Sequence, residues 1–142
     1  MIKDVFIDII GIQNINDDEE KVEFSTEARF GTKNGDFFIS YNDGQMLEDK
    51  ADIKTRLFIK SDNSIVLERR GAVNSRMLIE KDKRNTAFYS TPLGELDISI
   101  YGEEIDVNLN EKGGELFFAY TIDSGLKLLS RNTVKISVKE AQ

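Results

Sequence analysis

The run Val22-Glu23-Phe24-Ser25-Thr26-Glu27-Ala28-Arg29-Phe30 decides the architecture of this chain. Val22, Phe24, Thr26, Ala28 and Phe30 alternate strictly with Glu23, Ser25, Glu27 and Arg29. A period of two is what an extended strand with one buried face and one solvated face requires. The run leads into Lys33-Asn34-Gly35-Asp36, where Asn-Gly takes the positive φ of both central positions in a type I′ turn. Phe37, Ile39 and Tyr41 then form the apolar face of a returning strand, so the stretch reads as a β-hairpin.

The same alternation recurs on both sides. The polar stretch 42–52 has room for a single helical turn. Ile53, Thr55, Leu57 and Ile59 then oppose Lys54, Arg56 and Lys60, and Ser61-Asp62-Asn63-Ser64 forms a turn. Ile65, Leu67 and Arg69 share the next face, and a strand carried through Gly71 in register adds Val73, Ser75, Met77 and Ile79. Ala87, Tyr89 and Thr91 precede Pro92, which ends a ladder because it has no N–H to donate. Leu96, Ile98 and Ile100 follow, then a turn at Gly102-Glu103 before Ile105, Val107 and Leu109. Leu116, Phe118, Tyr120 and Ile122 come next, and the chain closes on Leu126, Leu128, Val134, Ile136 and Val138. No window carries the i, i+3, i+4, i+7 pattern of a long helix.

Strands of this number, joined by tight turns and apolar on one face, must split into a sandwich or close on themselves, and closure removes the unpaired edges. The expected fold is all-β: a single closed or nearly closed antiparallel β-barrel of about 8–10 strands, with little or no helix, over residues 1–142 as one domain. No linker composition or internal repeat divides the chain.

Composition narrows the function. With 142 residues, 39% hydrophobic and 32% charged, the chain has the makeup of an ordinary globular domain. The net charge of −7 is spread along the chain, which argues against nucleic acid as a partner. Asp4 and Asp8 interrupt the apolar start, so no export signal is read there, and no run reaches the ~18 apolar residues of a membrane-spanning helix. Together with the absence of Cys, this gives the cytoplasm as the expected location and no membrane partner. Zero His and zero Cys remove the Ser-His-Asp and Cys-His nucleophiles and the common zinc and iron sites, and no phosphate-cradling glycine motif occurs. No catalytic residue, metal or cofactor is assigned. The acidic run Asp17-Asp18-Glu19-Glu20 lacks the spaced ligands of a calcium loop and is read as a solvated hairpin tip. An enzyme is the class this composition supports least.

One residue breaks the pattern. Arg69 falls on the same face as Ile65 and Leu67, which is the face that lines the barrel, and a guanidinium taken out of water needs acceptors. Tyr41, Tyr89 and Tyr120 fall on apolar faces of other strands and bring hydroxyls toward it. These four residues are the candidate ligand site, for a small amphipathic or anionic molecule whose carboxylate or phosphate Arg69 would fork. The competing account places Arg69 at the barrel mouth with its stem packed and its head in water or paired to a nearby acid. Arg70 and Arg76 face solvent in this register. A filled lumen would instead favour a protein-interaction or structural module, and Phe24, Phe30, Phe37, Phe118 and Tyr120 are large enough to fill it. A homodimer stays open if Val5, Ile7 and Ile9, or Phe38 and Phe117, form an exposed patch.

The stretches Arg69-Arg70-Gly71-Ala72-Val73 and Tyr89-Ser90-Thr91-Pro92-Leu93-Gly94-Glu95-Leu96 lead, in order, to the closing segment from Glu115 to Glu140 with Tyr120 and Arg131-Asn132-Thr133-Val134-Lys135-Ile136. Together they resemble the YwiB-like bacterial family. The resemblance implies a calycin-type, lipocalin-like β-barrel and no established activity. Tyr41, Arg69, Gly71, Tyr89, Pro92, Gly94 and Tyr120 are the matching positions. Tyr101-Gly102 and Met77-Leu78-Ile79 depart from the family pattern. The wider calycin pairing of a Trp with a late Arg cannot form, since the chain has no Trp.

Overall fold

A computed structural model describes residues 2–42, 53–71, 74–91, 94–125 and 127–141. The helical turn expected in 42–52, the Pro92-Leu93 corner, Val73 and Leu126 fall on residues outside this set. Among the described residues, ten strands run in order: β1 (Ile2–Ile15), β2 (Asp18–Lys33), β3 (Asp36–Asn42), β4 (Ile53–Ile59), β5 (Ile65–Gly71), β6 (Asn74–Ile79), β7 (Arg84–Thr91), β8 (Gly94–Asn110), β9 (Gly113–Ser124) and β10 (Lys127–Glu140). Each pairs antiparallel with its sequence neighbours, and β10 pairs back onto β1, so the sheet is a closed up-and-down barrel. Closure gives each of these strands a hydrogen-bonded neighbour on both sides.

Turn chemistry explains the tight connections. Asn34 (φ 53°) and Gly35 (φ 86°) make the anticipated I′ turn between β2 and β3. Asn16 and Asp17 adopt the same geometry, with φ of 51° and 68°, and place the acidic run at the tip of the β1–β2 hairpin. Between β4 and β5 the Asp62 carboxylate accepts from the Ser64 hydroxyl at 2.7 Å and from its backbone N–H at 2.9 Å. Those bonds hold its carboxyl below the usual carboxylate range.

The strand boundaries differ from the sequence expectation in three places. Gly71 does not carry one strand through. At φ 144° it closes β5, and Asn74 opens β6, their amides exchanging bonds of 3.4 Å. The expected turn at Gly102-Glu103 is a bulge inside one 17-residue strand, β8. Backbone from the β6–β7 connection docks there: the Asp82 N–H donates to the Gly102 carbonyl at 2.8 Å, and the Gly102 N–H donates to the Lys83 carbonyl at 3.2 Å. A side chain at Gly102 would press into the Glu80 carbonyl, so glycine is required by close approach. Likewise Leu128 and Val134 belong to a single strand, β10, bulged between Leu128 and Ser130.

Alternation sorts the side chains as the period demands. Val5, Ile7 and Ile9 are buried in the lumen, not exposed, which corrects the idea that they form an outer patch. One end of the lumen is packed solid by Ile7, Phe30, Leu57, Ile65, Ile79 and Phe118, each no more than 1% exposed. Phe30 stacks on Phe37 with centroids 5.9 Å apart, and Phe118 on Tyr120 at 6.0 Å. Burying each such side chain contributes roughly 1.5–3 kcal/mol.

Candidate functional site

Following each strand away from the packed end, the inward positions change character. On β5, Ile65 and Leu67 give way to Arg69, and on β6, Ile79 and Met77 give way to Ser75. Register pairing aligns these positions across the sheet: Tyr41 opposes Thr55, Thr55 opposes Arg69, Arg69 opposes Ser75 and Ser75 opposes Tyr89. Side chains directly opposite one another share a face with Cβ atoms about 4.5–5.5 Å apart, so this is a continuous polar belt on the inner wall. A second belt runs through β9, β10, β1 and β2, where Tyr120 opposes Asn132, Asn132 opposes Gln13 and Gln13 opposes Glu20. Gln13 donates from Nε2 to Asn132 Oδ1 at 3.1 Å, and Asn132 donates from Nδ2 to Ser130 Oγ at 3.0 Å.

A cavity of about 330 Å³ lies between the belts. Arg69, Tyr89, Tyr120, Gln13, Asn132 and Glu20 supply polar lining, and Ile12, Val22, Ile53, Met77, Ile122 and Val134 supply apolar walls. Gly11 also lines it, and a Cβ built there meets nothing within 4 Å. The wall is open at that point because the inward side chain is missing.

Arg69 is half-buried and donates to the fully enclosed Tyr120 hydroxyl. Burial pushes the Tyr120 phenol above its ordinary value, the facing guanidinium pulls it back, and the nearby Tyr89 adds to the rise. Ser75 is 3% exposed, and its Oγ has no hydrogen-bond partner among the described residues.

Of the four residues expected to form the site, Arg69, Tyr89 and Tyr120 line the cavity. Tyr41 lies apart from the lining, buried in the core with its ring tilted against Phe24 at 6.2 Å. Arg70 and Arg76 point outward as expected and join Arg56 around Glu68 at 3.1, 4.0 and 3.9 Å. Arg131 is also external, 4.0 Å from Glu103. Gln13, Ser75 and Asn132 were not anticipated. Each breaks an inward apolar series (Ile7 and Ile9 before Gln13, Met77 and Ile79 after Ser75, Val134 and Ile136 after Asn132), which is the signal that singled out Arg69.

A family model described as a domain of unknown function (DUF1934) matches residues 7–136. The chain belongs to the DUF1934 family. No curated protein matches the sequence. Among solved structures, the ywiB protein from Bacillus subtilis is similar over 99% of this chain and 94% of that one, at 20% identity and a TM-score of 0.81. That likeness shows a shared barrel. The bearing of the DUF1934 cavity on function comes from its own side chains.

Proposed function

We propose that this DUF1934 chain is a cytoplasmic binding protein that holds one small amphipathic anion inside its barrel, in the manner of calycin-type, lipocalin-like barrels. The observation that carries this is a guanidinium, bonded to a buried phenol, facing a cavity of about 330 Å³ with apolar walls. The volume falls at the small end of the ~300–1,000 Å³ range of ligand pockets, and apolar lining with a few convergent polar groups is their usual makeup. Arg69 and Tyr120 would take the charged head, with Tyr89 beside them, and the aliphatic walls the body. Tyr41 supports the wall through its packing on Phe24.

Apolar side chains turned inward and charged ones outward are the reverse of a membrane-spanning barrel, which supports the absence of a membrane partner. The chain has no Cys, in keeping with a reducing compartment. Isothermal titration with sodium octanoate and with octyl phosphate tests the proposal. A saturable one-to-one isotherm is expected with at least one of them, lost in Arg69→Met while the variant stays folded. Absence of saturable binding to both would end it.

A further inference from the structure

We infer that the outer face of β4, β5 and β6 docks the β1–β2 hairpin tip of a second copy of this chain, so that copies associate head to tail. This is independent of the cavity, because the docking side chains have the opposite parity and point away from the lumen. Register pairing lays them out in rows. Phe38 opposes Phe58, Phe58 opposes Val66 and Val66 opposes Leu78, which makes an apolar row across four strands. The Phe38 and Phe58 rings tilt together with centroids 5.3 Å apart. In the adjacent row Arg56 opposes Glu68, Glu68 opposes Arg76, and Arg76 opposes Phe88, whose side chain is 52% exposed. Beyond that row Lys54 opposes Arg70.

The charge of this face is opposite to that of the molecule. Lys54, Arg56, Arg70 and Arg76 share it with the carboxylate of Glu68, in a chain whose net charge is −7. Glu68 sits among three guanidiniums and neutralises one positive charge, so the face stays cationic. The arginines keep outward N–H groups that a visiting carboxylate can accept from. Aromatic rings and arginine beside an apolar row are the side chains that protein interfaces favour.

The chain itself carries the complement. At the β1–β2 tip Ile15 is 41% exposed and opposes Asp18 in register, and Asp17, Asp18, Glu19 and Glu20 follow it. All four acids are exposed. The next residue, Lys21, pairs with Glu23 at 2.9 Å, which leaves the four without an ion pair among the described residues. The tip thus joins an aliphatic anchor to a block of negative charge, as the face joins apolar side chains to positive charge. Within one barrel the two are held apart, because β3 stands between β2 and β4 in the ring. Two cationic faces meeting each other would repel, so an isologous dimer through this surface is disfavoured and the contact is heterologous. At about 0.15 M salt charges more than about 8 Å apart are largely screened, so the overall negative charge does not prevent approach while the contacting pairs still attract.

Sedimentation velocity at about 0.15 M salt, over about 10–500 μM protein, tests this. The wild type is expected to sediment faster as concentration rises, and to lose that shift at about 1 M salt, where the screening length falls to about 3 Å. Asp18→Lys with Glu19→Lys reverses the tip, and Lys54→Glu with Arg70→Glu reverses part of the face. Each double variant alone is expected to sediment as a monomer. An equimolar mixture of the two is expected to associate again, since each retains the surface that the other has lost. Each pair of substitutions changes the net charge of −7 by four, so both variants stay negative and gross attraction does not account for the rescue. A wild type that remains monomeric over the whole range overturns the inference. So does association that survives in either variant alone, or a mixture that stays monomeric.

Discussion

The two ends of the lumen are built from the same strands and the same period of two, yet they do different things. At one end Ile7, Leu57, Ile65, Ile79 and Phe118 interlock with almost no exposure. At the other end the same rows continue as Gly11, Thr55, Arg69, Ser75 and Tyr120, and a cavity opens. Holding the barrel together and presenting polar groups are thus assigned to different stretches of each strand. The packed end can be rigid because nothing enters it, and the polar end tolerates a guanidinium because the packed end carries the stability.

The largest expected effect comes from breaking the packed end. Phe118→Ala removes a ring that is 1% exposed and should cost about 3–5 kcal/mol in urea unfolding, by lost transfer energy plus cavity. Tyr120→Phe, its stacked neighbour at the cavity end, keeps the ring and should cost well under half as much. Comparable losses from the two would erase the distinction between the ends. Gly102→Ala comes next, at about 1–3 kcal/mol, because the added methyl drives into the Glu80 carbonyl and strains the bulge. A Gly102→Ala variant with an unchanged urea midpoint would show that the docking of the β6–β7 connection onto β8 is loose.

Much of this architecture was legible because alternation is a local signal. Val22 to Phe30 declares its faces within nine residues, and Asn34-Gly35 declares its turn within two. What local pattern could not supply was where a glycine ends a strand and where it bends one. Gly71 closes a hairpin and Gly102 sits in a bulge, and the difference lies in what packs against each: Asn74 for the first, the Glu80–Lys83 backbone for the second. The site was legible in part for the same reason. Arg69 announces itself as a charge in an apolar row, whereas Ser75, Gln13 and Asn132 are mild polar substitutions whose importance appears only when register aligns them across strands. Tyr41 was grouped with the site because parity gives the face of a strand, and it does share the polar belt through Thr55, but its ring packs against Phe24 and is not part of the cavity lining.

Filling the cavity sharpens the comparison in the opposite direction. Gly11 faces open space, so Gly11→Val should gain roughly 0.5–1 kcal/mol from reduced backbone freedom and better strand propensity. It should also abolish octanoate binding by occupying the wall. A variant that melts higher and no longer binds marks the open end as a space kept for a ligand at the expense of stability. A destabilised Gly11→Val would mean the opening is not available to a side chain.

The smallest effect is a titration. Tyr120 keeps its proton above the ordinary phenol value because burial outweighs the pull of Arg69. A group whose folded pKa is raised contributes stability that is complete below the unfolded value, about 10, and is lost as pH rises through the folded one. Removing the guanidinium in Arg69→Met should therefore move the Tyr120 ring-carbon NMR titration further up in pH. The decline of the urea midpoint above about pH 10 should then continue to higher pH than in the wild type. If Tyr120 titrates at the same pH in both proteins, the guanidinium does not act on the phenol. The polar end would then lose the pair that distinguishes it from an ordinary unfilled corner of the barrel.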